Sequence, residues 1–335
     1  MSQLLKVAPS PHVHHPENTS RIMWTVVLAL LPALAWSIWV FGWQALRVSL
    51  EGVLFCALVE WAIQKFMFRK PATLQDGSAV LTGLLLAFNV PSGLPGWQLM
   101  AGAAVAIGVG KMAFGGLGRN PFNPALVGRA FMLASFPVSM TTWPIPFSNA
   151  WSLVDAKTAA TPLGLLKEGL KKGEAMDAIQ KTLPSHMDLF LGQVGGCIGE
   201  ISVVALLLGG LWLLWKGIIT WRIPVFYLLG LILFTGPFWL SDSQHFADPL
   251  FHLLSGGVML GAWFMATDMV TSPMSNRGQI IFALAGGVIC GAIRLFGAYP
   301  EGCSYSILIM NAFVPLLDRA FKPRSFAPRQ VTHEQ

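Results

Sequence analysis

Apolar runs of membrane-crossing length recur along this chain, separated by short polar stretches. Ten are read as spans, at about 22–42, 45–64, 79–95, 97–115, 124–141, 190–214, 223–240, 248–267, 279–297 and 303–320. Each approaches the roughly 20 residues that a helix needs to cross the hydrocarbon core of a bilayer. The pattern predicts an all-α integral membrane protein with about ten transmembrane helices. Two of the runs are interrupted. The third enters Asn89-Val90-Pro91-Ser92-Gly93, and the eighth enters Ala266-Thr267-Asp268 and then Thr271-Ser272-Pro273. Broken helices survive at membrane depth only where the freed backbone is buried in protein or lines a cavity.

The two halves of the chain carry matching landmarks. Phe114-Gly115, Leu126 and Ala130-Phe131 recur 182 residues later as Phe296-Gly297, Leu308 and Ala312-Phe313. The interrupted run from Thr82-Gly83 onward has a counterpart from Ser255-Gly256 onward. Five spans per half is an odd number, so the second copy must insert upside down. Inverted repeats with paired broken helices are a pattern of transporter and channel folds. The expected organisation is a segment 1–21, a first five-helix repeat over 22–141, a loop over 142–189, a second repeat over 190–320 and a tail over 321–335.

Composition narrows the class. Of 335 residues, 54% are hydrophobic and 11% charged, against about 25% charged in an ordinary soluble domain. That excludes a soluble globular enzyme and a disordered chain. The net charge of +6 has a membrane explanation, because cytoplasmic loops collect Lys and Arg; no nucleic-acid binding is inferred from it. With the N-terminus placed in the cytoplasm, Lys6, Arg21, Lys65, Arg69, Lys70, Arg119, Lys216, Arg222, Arg277, Arg319, Lys322, Arg324 and Arg329 fall on that side. Arg47, Lys157, Lys167, Lys171, Lys172 and Lys181 fall on the other, while Lys111, Arg129 and Arg294 fall within spans. Both termini are therefore expected in the cytoplasm and the 142–189 loop outside. No apolar signal-peptide core is read in the first twenty residues, so the first span is expected to direct insertion.

Candidate chemistry lies in the loop and in the buried charges. Cys56, Cys197, Cys290 and Cys303 form no CxxC pair, so neither a zinc site nor a self-contained iron–sulfur cluster is signalled. The outside loop carries Asp155-Ala156-Lys157-Thr158-Ala159-Ala160-Thr161-Pro162. Read alone, Thr158 or Thr161 is a helix cap with Pro162 at the first helical position. Glu51, Glu60, Lys111, Arg129, Glu200, Asp268 and Arg294 lie at membrane depth, where ionisable groups are costly and mark ion paths or structural pairs. Glu51 and Arg47, one helical turn apart, are expected to pair. Asp268, Glu60, Glu200 and Lys111 are the candidates for an ion path. Asp268 stands at the break of the eighth span, where it either relays an ion or holds the broken helix together. The Gly-rich stretch Gly115–Pro124 is no dinucleotide fingerprint, since it follows no strand. Ser10-Pro11-His12 with His14 and His15 is a weak metal signal and a candidate contact for a cytoplasmic partner.

Asp155 followed by Thr158-Ala159-Ala160-Thr161 resembles the flavinylation motif of membrane flavoproteins in the Rnf and sodium-pumping NADH:quinone oxidoreductase complexes. In that motif the last Thr carries FMN through a phosphoester bond. This chain has Ala159 where many copies have Gly. The resemblance, to the family that joins the D-type subunits of Rnf complexes with the B-type subunits of the quinone reductases, runs along nearly the whole chain. It takes in Ser10-Pro11-His12 with Thr19, Gly118-Arg119-Asn120-Pro121-Phe122-Asn123-Pro124-Ala125-Leu126, Ala266-Thr267-Asp268, Pro300-Glu301-Gly302 and Asn311-Ala312-Phe313. The short segment before the first span favours the Rnf branch.

The resemblance implies covalent FMN at Thr161, with Asp155 and Thr158 as recognition residues for a flavin transferase acting outside the cytoplasm. The charge count places Thr161 on that side independently. It implies a second, non-covalent flavin such as riboflavin as a further cofactor. It implies a bacterial inner-membrane subunit that takes electrons from a second covalent-flavin subunit. Iron–sulfur membrane subunits and NAD- and ferredoxin-interacting subunits complete the complex, which couples electron transfer to Na⁺ or H⁺ movement. Lys157, Arg47 or the loop lysines are candidates to stabilise a reduced flavin. The alternatives are a quinone-reductase B-type subunit, a urea- or ammonium-channel-like transporter and a structural assembly subunit. Fold alone fits the channel equally well, but a plain channel has no need for the Asp155–Thr161 motif, and the buried charges and broken helices argue against a purely structural subunit.

Overall fold

The computed structural model describes residues 18–147, 158–173, 176–297, 299 and 301–322. The described residues are mostly helical. The first half runs α1 (Thr19–Phe41), α2 (Trp43–Ala62), α3 (Ser78–Phe88), α4 (Gly96–Gly108), α5 (Pro124–Ser135) and the short α6 (Pro137–Met140). A two-residue strand β1 (Trp143–Pro144) pairs antiparallel with β2 (Thr158–Ala159). The intervening loop then forms α7 (Pro162–Lys171), α8 (Met176–Gln180) and α9 (His186–Leu191). The second half runs α10 (Val203–Trp215), α11 (Arg222–Ser241), α12 (Pro249–Leu254), α13 (Val258–Leu260), α14 (Asn276–Phe296) and α15 (Cys303–Ala320). By length and composition, Thr19–Phe41, Gly96–Phe114, Arg222–Ser241 and Asn276–Phe296 are able to cross a membrane, and three shorter apolar helices accompany them. Exposed Trp39, Leu50, Leu54, Leu208, Leu233 and Leu316 give the bundle an apolar exterior, as a lipid-facing surface requires.

The arrangement of helices is alike in the two halves. α2 packs along α3 and α4, and α4 packs on α5; in the second half α11 packs along α14, and α14 on α15. The first helices of the halves, α1 and α10, lie against each other and run in opposite directions. Residues from the start of α1 (Ile22, Met23, Val26) and from near the end of α10 (Leu213) line one cavity. Close crossings are made by small residues. A Cβ on Gly52 of α2 would sit 2.8 Å from the Gly83 carbonyl of α3, and Gly287 of α14 lies directly on the Tyr227 carbonyl of α11. Without a hydrophobic drive between helices in lipid, such backbone approach is what holds them together.

Both interrupted runs are broken helices. α3 stops at Phe88, and residues 89–95 are irregular. Their backbone is satisfied by a second irregular segment: the Ile198 N–H donates to Val90 O at 3.1 Å and the Gly199 N–H to Phe88 O at 3.0 Å. The eighth run divides at Ser255-Gly256-Gly257 and resumes as α13 and a π-helical turn, Gly261–Met265. Gly256 has φ +66°, a left-handed conformation open chiefly to glycine. The sixth run differs from expectation. Residues 192–202 are not helical, and α10 begins only at Val203. Four glycines between 192 and 199 disfavour helix, and their small size lets this segment press against Phe88. The fifth run likewise ends its helix at Ser135, before Pro137.

Candidate functional site

Thr161 is set by its neighbours on both sides. Two and three residues upstream, Thr158 and Ala159 pair with Pro144 and Trp143. Downstream, Pro162 opens α7 and Thr161 is its N-cap, with Oγ1 accepting from the Gly164 N–H at 3.1 Å. Pro fits the first helical position because its missing N–H would be unpaired there anyway. Thr161 itself is 6% exposed. Leu163 and Leu166 of α7 join Ile179 of α8, Leu189 of α9 and Phe251 of α12 in a small second core. That core seats the loop helices on the broken helix. Lys167 of α7 adds a polar tie, donating to Gly297 O at 2.5 Å and Tyr299 O at 2.7 Å. Burial, and then Lys171, push the Lys167 ammonium below its ordinary pKa.

A cleft of about 300 Å³ opens beside Thr161, with Gly195, Gly196, Gly256, Glu200 and Glu301 among its lining residues. Its inner wall is a buried polar cluster. Arg129 of α5 is ion-paired with Glu301 and donates to Asn89 Oδ1 at 2.8 Å. Glu200 Oε1 accepts from the Cys197 N–H at 2.9 Å. Arg294 of α14 donates to the carbonyls of His252 and, at 2.8 Å, of Ser255. It thereby caps the carbonyl end of α12, where positive charge is favoured. Thr161 offers a hydroxyl at the N-terminus of a ten-residue helix, where backbone N–H groups favour anions, although Glu200 and Glu301 line the same cleft.

The opposite end of the bundle holds a second cavity, of about 790 Å³, between the two halves. Leu81, Leu85, Leu117, Ile219 and Phe264 give it apolar walls, and Lys111, Asn120, Asn123, Thr267 and Asp268 add polar groups. Lys111 donates to Glu60 Oε2 and Ser78 Oγ, both at 2.6 Å, in a fully buried ion pair. Glu60 Oε1 accepts from Gln64 at 3.2 Å. Asp268 accepts from the Val270 N–H at 3.3 Å and Thr271 Oγ1 at 3.1 Å, so it caps the turn after the π-helical segment. The Asn120 Oδ1, buried at this cavity, has no partner among the described residues.

The two sites lie at opposite ends of α1. Ile22 and Met23 line the large cavity, whereas the carbonyl of Val40 accepts from the Phe147 N–H beside β1. At 1.5 Å per residue, the 23 residues of α1 span about 35 Å. The sequence-predicted residues divide accordingly. Glu60, Lys111 and Asp268 gather at one end, while Thr161 and Glu200 gather at the other. Arg47 pairs with Glu51 at 3.9 Å, as expected, and donates to Leu94 O, so it is committed away from Thr161. Asp155 and Lys157 lie outside the described residues; Thr158 is described only in its strand pairing. Glu301 was only a landmark in the sequence, yet it is central to the buried cluster. The signal that locates it is a carboxylate in Pro300-Glu301-Gly302, between two spans. Cys197 and Asn89 carried no signal beyond their glycine-rich and broken-helix settings.

A multi-helix membrane protein with a helix-capping Thr in one cleft and a polar-ended cavity at the other end is the class that fold and site define. The family described as NQR2, RnfD, RnfE matches residues 6–327, and the chain belongs to that family. It is 49% identical over 333 residues to the D-type subunit of the Na⁺-translocating ferredoxin:NAD⁺ oxidoreductase complex of Acetobacterium woodii, covering 98% of each chain. It is 44% identical to the D-type subunit of the proton-translocating ferredoxin:NAD⁺ oxidoreductase complex of Clostridium ljungdahlii, covering 98% of this chain and 97% of that one. A D-type subunit of the ion-translocating oxidoreductase complex of Escherichia coli is 36% identical over 355 residues, covering 98% and 99%.

Proposed function

We propose that this chain is the multi-pass membrane subunit of an ion-translocating electron-transport complex of the ferredoxin:NAD⁺ oxidoreductase type. Relatives named for that role cover essentially its whole length, which supports the reading. Thr161 holds FMN through a phosphoester on Oγ1, placed there by a flavin transferase that recognises Asp155 and Thr158. When bound, FMN supplies electron transfer in single steps. The residues here do the rest. Thr161 would tether the group, the amides at the start of α7 would favour its phosphate, and Gly195, Gly196 and Gly256 line the cleft beside it. The observation that carries this reading is Thr161 as the N-cap of α7, in a cleft walled by buried charges.

The larger cavity takes a second, non-covalent flavin such as riboflavin. Its apolar walls, with Lys111, Asn120, Asn123, Thr267 and Asp268 among them, suit a ring with both donors and acceptors. The two halves form inverted five-helix repeats, giving ten spans, supported by the antiparallel α1 and α10. The boundaries are those of the sequence, 22–141 and 190–320, with the loop 142–189 between them. The cluster Arg21, Lys65, Arg69, Lys70, Arg119, Lys216, Arg222, Arg277 and Arg319 marks the cytoplasmic face of a bacterial inner membrane. Thr161 then faces the periplasm, and a flavin held there would supply electrons toward the cytoplasmic side. Partners are a second covalent-flavin subunit, iron–sulfur membrane subunits, and NAD- and ferredoxin-interacting subunits. Ion movement, of Na⁺ or H⁺, follows if redox change shifts the balance between two arrangements of the halves.

The test is peptide mass spectrometry of the chain purified from its own membranes. An FMN-phosphate adduct on the Thr161 peptide, lost in Thr161→Ala, is expected, with a second flavin released on denaturation. An unmodified peptide with the transferase present would move a channel or transporter role to first place.

A further inference from the structure

We propose that Glu200 and Glu301 share one proton between their carboxyl groups, forming a proton-holding pair in the wall of the Thr161 cleft. Cys197 Sγ and one oxygen of each carboxylate lie within 4.8 Å of one another. Glu200 is 6% exposed. Its Oε1 accepts the Cys197 N–H, but its buried Oε2 has no partner. Glu301 gives one oxygen to Arg129, and its buried Oε1 has no partner. An ionised carboxylate only accepts hydrogen bonds, so two ionised groups would leave these two buried acceptors without a hydrogen bond among the described residues, at a real cost. A single proton makes one of them a donor to the other and satisfies both. It also removes the repulsion of two carboxylates in one site.

The surroundings give the pair one direct cation contact. Arg129 from α5 pairs with Glu301 and donates to Asn89 at the end of α3. Arg294 from α14 stands near by, with Nη1 and Nη2 given to the carbonyls of His252 and Ser255 of the broken eighth run and Nε without a partner among the described residues. The His252 ring nitrogens have no partner among the described residues. A metal ion is disfavoured on these ligands, because Arg129 Nη2 stands 3.9 Å from Cys197 Sγ and puts a fixed cation against them. The glycine pair makes the room. A Cβ on Gly257 would stand 3.1 Å from Glu200 Oε2, and one on Gly256 would stand 3.4 Å from Glu301 Oε1 and 2.9 Å from Arg294 Nη2.

Thr161, Glu200 and Glu301 line the same cleft, so the pair, resting here on the reading of Thr161 as a flavin site, senses charge placed there. Negative charge arriving from a partner subunit strengthens its hold on the proton, and departure of that charge loosens it.

The test is infrared spectroscopy of the purified chain in H₂O and D₂O across pH, in wild type and in flavin-free Thr161→Ala. A protonated-carboxyl band is expected in both, persisting into the pH range where isolated carboxyls are fully ionised. It should disappear in Glu200→Gln and in Glu301→Gln alike, since either change leaves one carboxylate beside Arg129. The wild-type band needs no variant to fold. The absence of a band component that both substitutions remove would overturn the proposal, as would loss of that component on adding Na⁺ or a divalent cation. In the flavin-loaded complex, chemical reduction should shift the band in wild type and leave it unmoved in Thr161→Ala. A band present in both and unmoved in both would refute the coupling to Thr161 while sparing the shared proton.

Discussion

At the scale of single residues, Thr161 serves two ends with one oxygen. Its hydroxyl caps α7, and the same atom is the proposed attachment point. Thr161→Ala therefore removes the adduct and also an N-cap, which costs about 1 kcal/mol. Thr161→Ser keeps the cap, so thermal melting should separate the two losses: Ala lowers the midpoint and Ser leaves it near wild type. The buried Lys111–Glu60 pair makes a sharper prediction. Both side chains are almost wholly shielded from solvent, at 2% and 1% exposure. Lys111→Met leaves Glu60 without its cation, and breaking one side of such a pair costs about 3–5 kcal/mol. The double variant Lys111→Met with Glu60→Gln should recover most of that loss, measured as the midpoint of unfolding in detergent. Recovery with ion pumping intact would mark the pair as structural. A double variant that melts normally but no longer pumps would place the pair on the ion path.

At the scale of elements, the breaks do the positioning. The end of α3 is held by the irregular segment 192–202, and the end of α12 is held by Arg294. The two freed backbones thus come to flank one cleft. Gly256 is the point on which that geometry turns. Its φ of +66° is strained for any other residue, and a Cβ would press on Arg294 and on Leu163 Cδ1 at 2.9 Å. Gly256→Ala should lower flavin incorporation at Thr161 and the melting midpoint together, while the cavity at the far end keeps its ligand. Gly83→Leu makes the converse prediction. It forces α2 from α3 at the Gly52 crossing, disturbs Ser78 and its contact to Lys111, and should release non-covalent flavin while leaving the Thr161 adduct in place. Flavin release on gel filtration and in-gel fluorescence after denaturation read the two losses separately.

At the scale of the whole molecule, the two sites sit at opposite ends of a helix about 35 Å long, and the basic residues cluster at the α1-start end. The four native cysteines are buried and free, so introduced cysteines report topology against a quiet background. Lys70→Cys should react with an impermeant maleimide only in inside-out vesicles, and Lys181→Cys only in right-side-out ones. The reverse result would put Thr161 in the cytoplasm and remove it from the reach of an external transferase.

Much of this was legible along the chain. Apolar run length and the Asn89–Gly93 and Ala266–Pro273 interruptions marked the helices and two of their ends, because a long apolar segment has few stable alternatives in lipid; the earlier break at Ser255–Gly257 was not foreseen. The i,i+4 spacing of Arg47 and Glu51 announced their pairing, and Pro162 announced the start of α7. Run length misjudged the sixth span, since an irregular glycine-rich segment buried in protein is as apolar as a helix in lipid. The partners of the buried charges were not legible. Arg129 meets Glu301 across 172 positions, and Lys111 meets Glu60 across 51. Lys111 and Arg119, on either side of Gly115–Gly118, part company: Arg119 lines an open cleft, and Lys111 is buried at Glu60. Sequence by itself determined the helical membrane class, two of the helix ends and the threonine motif, because those follow from local chemistry and its period. Which charges neutralise one another, and that Glu200 and Glu301 face Thr161, only the tertiary structure decided, because a buried charge is stable only beside whatever partner the packing of distant helices brings to it.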